Sequence, residues 1–151
     1  MHIQEAHTSP LQNQFADRVI DQYSDLTDIE LLGALIDDDG FGQIGAVSSF
    51  GADSALLLAM IAEIDASIPV IFLDTGKHFP ETTDYVQSLS QQLGLENIHY
   101  RRPDLVEVKI HDTIGDLWES SVDACCDLRK VRPLEKALQG FDSWISGRKR
   151  F

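Results

Sequence analysis

The chain has 151 residues, 43% of them hydrophobic, which is enough for one domain with a real core and too few for two. A formal net charge of −13 excludes a general nucleic-acid binder, because a phosphate backbone demands a basic surface. The charge is unevenly spread. Residues 1–100 hold only Arg18 and Lys77 against sixteen acids, whereas residues 101–151 hold ten cations against nine acids. Such a cation block either focuses field on a small anion or is ordinary solvated surface, and composition alone favours the second.

Met1 to Pro10 is polar and lacks a basic start followed by an apolar stretch, so it reads as a flexible tail and not as a secretory leader. The longest apolar run, Ala55 to Ala62, is too short to cross a bilayer. The only two cysteines, Cys125 and Cys126, are adjacent and poorly placed for a structural disulfide. These features together predict a reduced, cytoplasmic protein with no membrane and no nucleic-acid partner.

In chain order, Leu11 to Tyr23 reads as an amphipathic helix. Thr27 with Glu30 forms the pattern of a capping box ahead of Ile29, Leu31, Leu32, Leu35 and Ile36, which recur at helical spacing. Ile44 to Ser48 reads as a buried strand, Ser49 to Ala52 as a small-residue loop, and Asp53 to Ile64 as an apolar helix. Pro69 to Leu73 is a second strand and Asp74 to Phe79 a loop. Pro80 opens a helix that Gly94 ends after Leu93. Asn97 to Arg101 is a third strand, Asp104 to Ile110 a short helix, and Asp123 to Val131 another, with Pro133 restarting a helix to Leu138. Phe141 to Ser146 is a fourth strand. Strands alternating with helices predict a Rossmann-like α/β fold, a parallel sheet covered on both faces, with ligands at the carboxyl ends of the strands.

Four segments carry candidate chemistry. Ser49-Phe50-Gly51-Ala52-Asp53-Ser54 joins a strand to a helix. Small residues there let a ligand approach the backbone, and first-turn amides attract anions. The same residues also fit a plain turn with Asp53 as N-cap. In Leu73-Asp74-Thr75-Gly76, a strand-end carboxylate can accept from ribose or base donors. An ordinary helix-entry loop explains these residues too, and Lys77 and His78 read as solvent-facing. Cys125-Cys126 precedes Arg129-Lys130. Two thiolates cannot complete a tetrahedral metal site, and His78, His99 and His111 stand at no known zinc spacing. Gly147-Arg148-Lys149-Arg150 offers guanidinium forks to sulfate or phosphate, or is a basic chain end.

In this order the four segments resemble the APS/PAPS reductases, over about Ile20 to Phe151. The first is similar to the PP-loop of the adenine-nucleotide alpha-hydrolase-like superfamily. The second is similar to the family's LDTG…PET segment, the third to its CC-x-x-RK segment and the fourth to its arginine loop. The paired cysteines resemble the assimilatory adenylyl-sulfate reductases and not the cluster-free PAPS reductases. The resemblance implies an incomplete reductase domain over residues 11–151. It also implies thioredoxin-dependent reduction of adenylyl sulfate to sulfite and AMP in cysteine biosynthesis, and a homo-oligomer. Ser49, Gly51, Asp53, Ser54, Leu73, Asp74, Thr75, Gly76, Lys130, Arg148 and Arg150 would bind substrate. Cys125 and Cys126 would supply two of four ligands to a 4Fe-4S cluster. The family's Cys-x-x-Cys and its nucleophilic cysteine find no match, so the chain reads as truncated and inactive by itself. PAPS reductase, a non-catalytic nucleotide-binding remnant and a pyrophosphatase-type ATP enzyme stand as alternatives.

Overall fold

The computed structural model describes residues 10–147. The expected N-terminal tail, but for Pro10, and Arg148 and Arg150 of the expected arginine loop lie outside these residues. The chain divides into two units, one ending at Asp38 and one beginning at Asp39.

The first unit holds α1 (Pro10–Tyr23) and α2 (Asp28–Ile36). The Tyr23 hydroxyl donates to Asp38 Oδ2 at 2.6 Å, and this bond to a carboxylate raises the phenol's pKa. The capping box does not form. Thr27 is the N-cap, but its side chain makes no cap bond, and its carbonyl accepts from the Glu30 and Leu31 amides instead. Asp28 lies in the left-handed region at φ 48, which removes Thr27 from the alignment that a capping hydroxyl needs.

The second unit follows the expected alternation: β1 (Ile44–Val47), α3 (Ala52–Asp65), β2 (Val70–Leu73), α4 (Pro80–Leu93), β3 (Ile98–Arg101), α5 (Leu105–His111), α6 (Leu117–Ser120), α7 (Val122–Cys126), α8 (Arg132–Leu138) and β4 (Ser143–Ser146). All pairings are parallel, in the order β3-β2-β1-β4. The chain steps outward from β1 to β3, then crosses back to β4. Right-handed crossovers therefore put α3 and α4 on one face and α5 to α8 on the other, and α8 contacts β2 and β3. The sheet is doubly wound, with its switch point between β1 and β4.

Its centre is apolar because both faces are covered. Val70, Ile71 and Phe72 are essentially inaccessible, as are Leu58, Ile61 and Val86 from the covering helices. Phe72 meets Phe50 and Tyr100 edge-on, with ring centroids 5.5 and 5.7 Å apart. Gly94 ends α4 as expected, at φ 67, where its amide donates to Gln91 and Ser90 carbonyls. No helix among the described residues is long and apolar enough to cross a membrane.

Three local expectations need correction. Asp53 is not the N-cap of α3. Gly51 holds that place and its carbonyl accepts from the Ser54 and Ala55 amides. Pro133 does not restart a helix. α7 and α8 run on through one π turn, Asp127–Val131, in which the Arg132 amide donates five residues back to Asp127. Proline at 133 has no N–H to give the Arg129 carbonyl and its ring crowds that oxygen, so the wider turn accommodates it. Finally, α6 was not anticipated, and β4 begins at Ser143 and not at Phe141, whose amide belongs to the turn from Leu138.

Candidate functional site

The loops that follow β1 and β2 lie side by side, because those strands are adjacent and parallel. After β1, the Ser48 hydroxyl accepts from the Phe50 amide at 3.0 Å, and Phe50 adopts φ 56. This left-handed residue turns the chain sharply into α3. Ser49, Gly51 and Asp53 are exposed and Ser54 is half-buried at the helix start, where first-turn amides accumulate positive potential.

After β2, Asp74 is buried and organises its own loop. Its Oδ1 accepts from the Gly76 amide at 3.1 Å and its Oδ2 from Arg102 Nε at 2.8 Å. Burial opposes ionisation, but the Arg102 guanidinium and the Gly76 amide outweigh it and hold the carboxyl below its usual range. Both oxygens are thus engaged within the protein, leaving only their second lone pairs for a ligand. Gly76 takes φ 71, which a side chain would strain. Lys77 and His78 are exposed, as the sequence suggested, but each is also tied to the backbone. Lys77 Nζ donates to the Gly115 carbonyl, and His78 Nε2 lies 2.9 Å from the Leu73 carbonyl with its ring stacked on Phe72.

A cleft of about 560 Å³ opens beside this loop. Thr75, Lys77, His78 and Phe79 line one side, and Trp118, Val122, Cys125, Cys126, Arg129 and Lys130 the other. Of the predicted residues it brings together Thr75, both cysteines and Lys130. Ser49, Gly51, Asp53, Ser54, Leu73, Asp74 and Gly76 do not line it. They belong to the neighbouring strand-end loops, or to the strand end itself. Cys125 and Cys126 are free, half-buried thiols. Among the described residues no group of three or more His, Cys, Asp or Glu side chains stands together as a metal site, so the thiols form half of a four-thiolate set at most.

The cations of the last third do not all face an anion site. Arg102 pairs with Asp74, Arg129 with Asp112, and Arg132 with both Glu107 and Asp127. Lys130 is exposed at the cleft. Sequence reasoning missed Asp112 and Trp118. Asp112 is a lone acid in an unpatterned loop, and nothing in its neighbours signals that it meets Arg129 seventeen residues later. Trp118 is a large apolar side chain left 54% exposed at the cleft, a signal visible only once the fold is known.

Similarity to known proteins agrees with this arrangement. Residues 43–151 match the phosphoadenosine phosphosulfate reductase domain family. An adenosine 5'-phosphosulfate reductase of Mesorhizobium japonicum is 49% identical over 129 residues, covering 85% of this chain and 51% of that protein. One from Oceanobacillus iheyensis is 39% identical over 103 residues, covering 68% and 43%. The chain thus spans about half the length of the curated relatives it matches. The crystal structure of phosphoadenylyl-sulfate (PAPS) reductase from Candida auris, a phosphate complex, superposes with a TM-score of 0.75 at 27% identity, covering 98% of this chain and 72% of that one. A doubly wound sheet with both strand-end loops and the thiol helix in place, matched over most of its length, makes this chain a member of the APS/PAPS reductase family.

Proposed function

We propose that this chain carries the nucleotide-binding part of a cytoplasmic, thioredoxin-dependent adenylyl-sulfate reductase, which releases sulfite and AMP in the route from sulfate to cysteine. The observation that carries the reading is the single cleft in which Thr75 of the LDTG loop, the Cys125–Cys126 pair and Lys130 face one another. Adenylyl sulfate is anionic at both its phosphate and its sulfate, so a lysine at the mouth and helix-start amides on the next loop suit it. In this reading Ser49, Gly51, Asp53 and Ser54 receive the phosphate, and Leu73, Asp74, Thr75 and Gly76 the nucleoside. Arg148 and Arg150 flank the sulfate, and the protein assembles from several identical copies.

Cys125 and Cys126, both free and half-buried, would supply two thiolates to a 4Fe-4S cluster, whose other two ligands would lie beyond these 151 residues. When bound, the cluster supplies electrostatics near the sulfate and not the electrons. Those come from thiols. A cysteine thiolate attacks the sulfur, the sulfur–oxygen bond to AMP breaks, and AMP leaves with the bonding pair. A thioredoxin thiolate then attacks the cysteine sulfur, forming a disulfide as sulfite departs. Lys130 lowers the cost of bringing a thiolate to an anionic ester. Neither cysteine of this chain is free for the attack if both hold the cluster.

Affinity for adenylyl sulfate against its 3′-phosphorylated form tests the reading. We expect saturable binding of adenylyl sulfate with no gain from the 3′-phosphate, and no sulfite from the 151-residue chain with thioredoxin. A large gain from the 3′-phosphate would instead favour the PAPS reductases. Release of pyrophosphate from ATP would place the chain with pyrophosphatase-type enzymes.

A further inference from the structure

Arg129 and Asp112 form an ion pair whose side chains are only 8% and 0% exposed. A pair removed from water this completely gains little over apolar residues of the same size, so its bonding pattern matters more than its charge. Arg129 donates from Nε, at 3.0 Å, and from Nη2 to the same Asp112 oxygen. Its Nη1 donates to the Thr75 carbonyl at 2.7 Å. The other Asp112 oxygen accepts from the Leu117 amide at 2.9 Å. Three segments distant in sequence are joined at one point: the loop after β2, the turn into α6, and the π turn that follows Cys126. Lys77 repeats the link by donating to Gly115.

Each of these segments, with the helical turn beside it, lines the cleft: the first through Thr75 and Lys77, the second through Trp118 in α6, the third through Lys130 and, just before it, Cys125 and Cys126. Asp112 is not among the lining residues. We propose that Asp112 is a positioning residue. By clamping two guanidinium nitrogens it aims the third at Thr75, so that the nucleotide loop and the thiol helix are held at a fixed separation. Without Asp112 the guanidinium keeps its charge but loses its orientation, and the Thr75 carbonyl loses its partner. A guanidinium fork is required, because a lysine at 129 offers one point charge and cannot bridge both acceptors.

Asp112→Asn and Arg129→Lys test this in the full chain. Backbone hydrogen exchange and AMP titration serve as readouts, and thermal unfolding reports whether each variant folds. The titration rests on the function proposed above; the exchange measurement does not. In both variants we expect exchange at residues 74–79 and 112–117 to accelerate beyond the change that β1 shows through global unfolding, and AMP affinity to fall about tenfold, the size of one charged hydrogen bond. Glu107→Gln, which removes an exposed partner of Arg132, leaves both readouts unchanged. Acceleration at residues 74–79 no greater than that in β1, in a folded variant, overturns the proposal. So does loss of cooperative unfolding in both variants, which would make the pair a plain stability element. If the unaltered chain binds no AMP, the proposed function fails while the exchange pattern still decides the role of Asp112.

Discussion

Asp112 and Arg129 also set a pH dependence. The Leu117 amide, with the Arg129 fork, holds the Asp112 carboxyl below its ordinary range against the opposing effect of burial. A carboxylate whose folded pKa lies below its unfolded value, about 4, contributes fully above that value. The contribution is lost as pH falls through the lower, folded one. Asp112→Asn is expected to destabilise the protein near neutral pH by about 3 kcal/mol, since it leaves a buried guanidinium without its counter-ion. It should also flatten the acid limb of the stability profile. Urea titrations of both proteins across acid pH check this, and parallel acid limbs would contradict it. Asp74 shares the direction of shift but is held chiefly by Arg102, 72% exposed, so its effect is smaller and screened by salt.

At the scale of elements, ends matter as much as periodicity. α5 is a seven-residue helix whose start is held by Asp104, which accepts from the Val106 and Glu107 amides at 2.7 and 3.2 Å. Asp104→Ala should cost about 1 kcal/mol in denaturant unfolding. Gly94 has open space where a Cβ would stand, so Gly94→Ala is a pure test of left-handed strain and should also cost about 1 kcal/mol. A neutral result would mean that the C-cap relaxes. The four strands and α4 were legible because buried parallel strands leave short apolar runs between turn residues, and Pro80 and Gly94 mark their helix directly. Other features were not legible. Thr27 and Glu30 carry the letters of a capping box, but the backbone at Asp28 prevents it. Pro133 reads as a break, but a π turn absorbs it. α6 is a single turn whose start hangs on Asp112, which is itself held by Arg129, seventeen residues on. The Thr75 loop, the cysteines and Lys130 were found by resemblance. Their meeting in one cleft came from the crossover that returns α5 to α8 across the sheet, which local pattern does not encode.

For the whole molecule, the acidic balance and the placement of cations act together. With a net charge of −13 the chain should pass through heparin without retention at physiological salt, and retention would contradict the exclusion of nucleic-acid partners. Among the described residues, three of the four guanidiniums in the last third sit in ion pairs, leaving Lys130 as that region's exposed cation at the cleft. The most direct test is a calorimetric titration of adenylyl sulfate into the protein and into Lys130→Ala. Single-site binding is expected, weakened about tenfold by the substitution, with thermal stability unchanged because Lys130 is exposed. Binding that is indifferent to the substitution, or no saturable binding in either protein, would contradict this expectation.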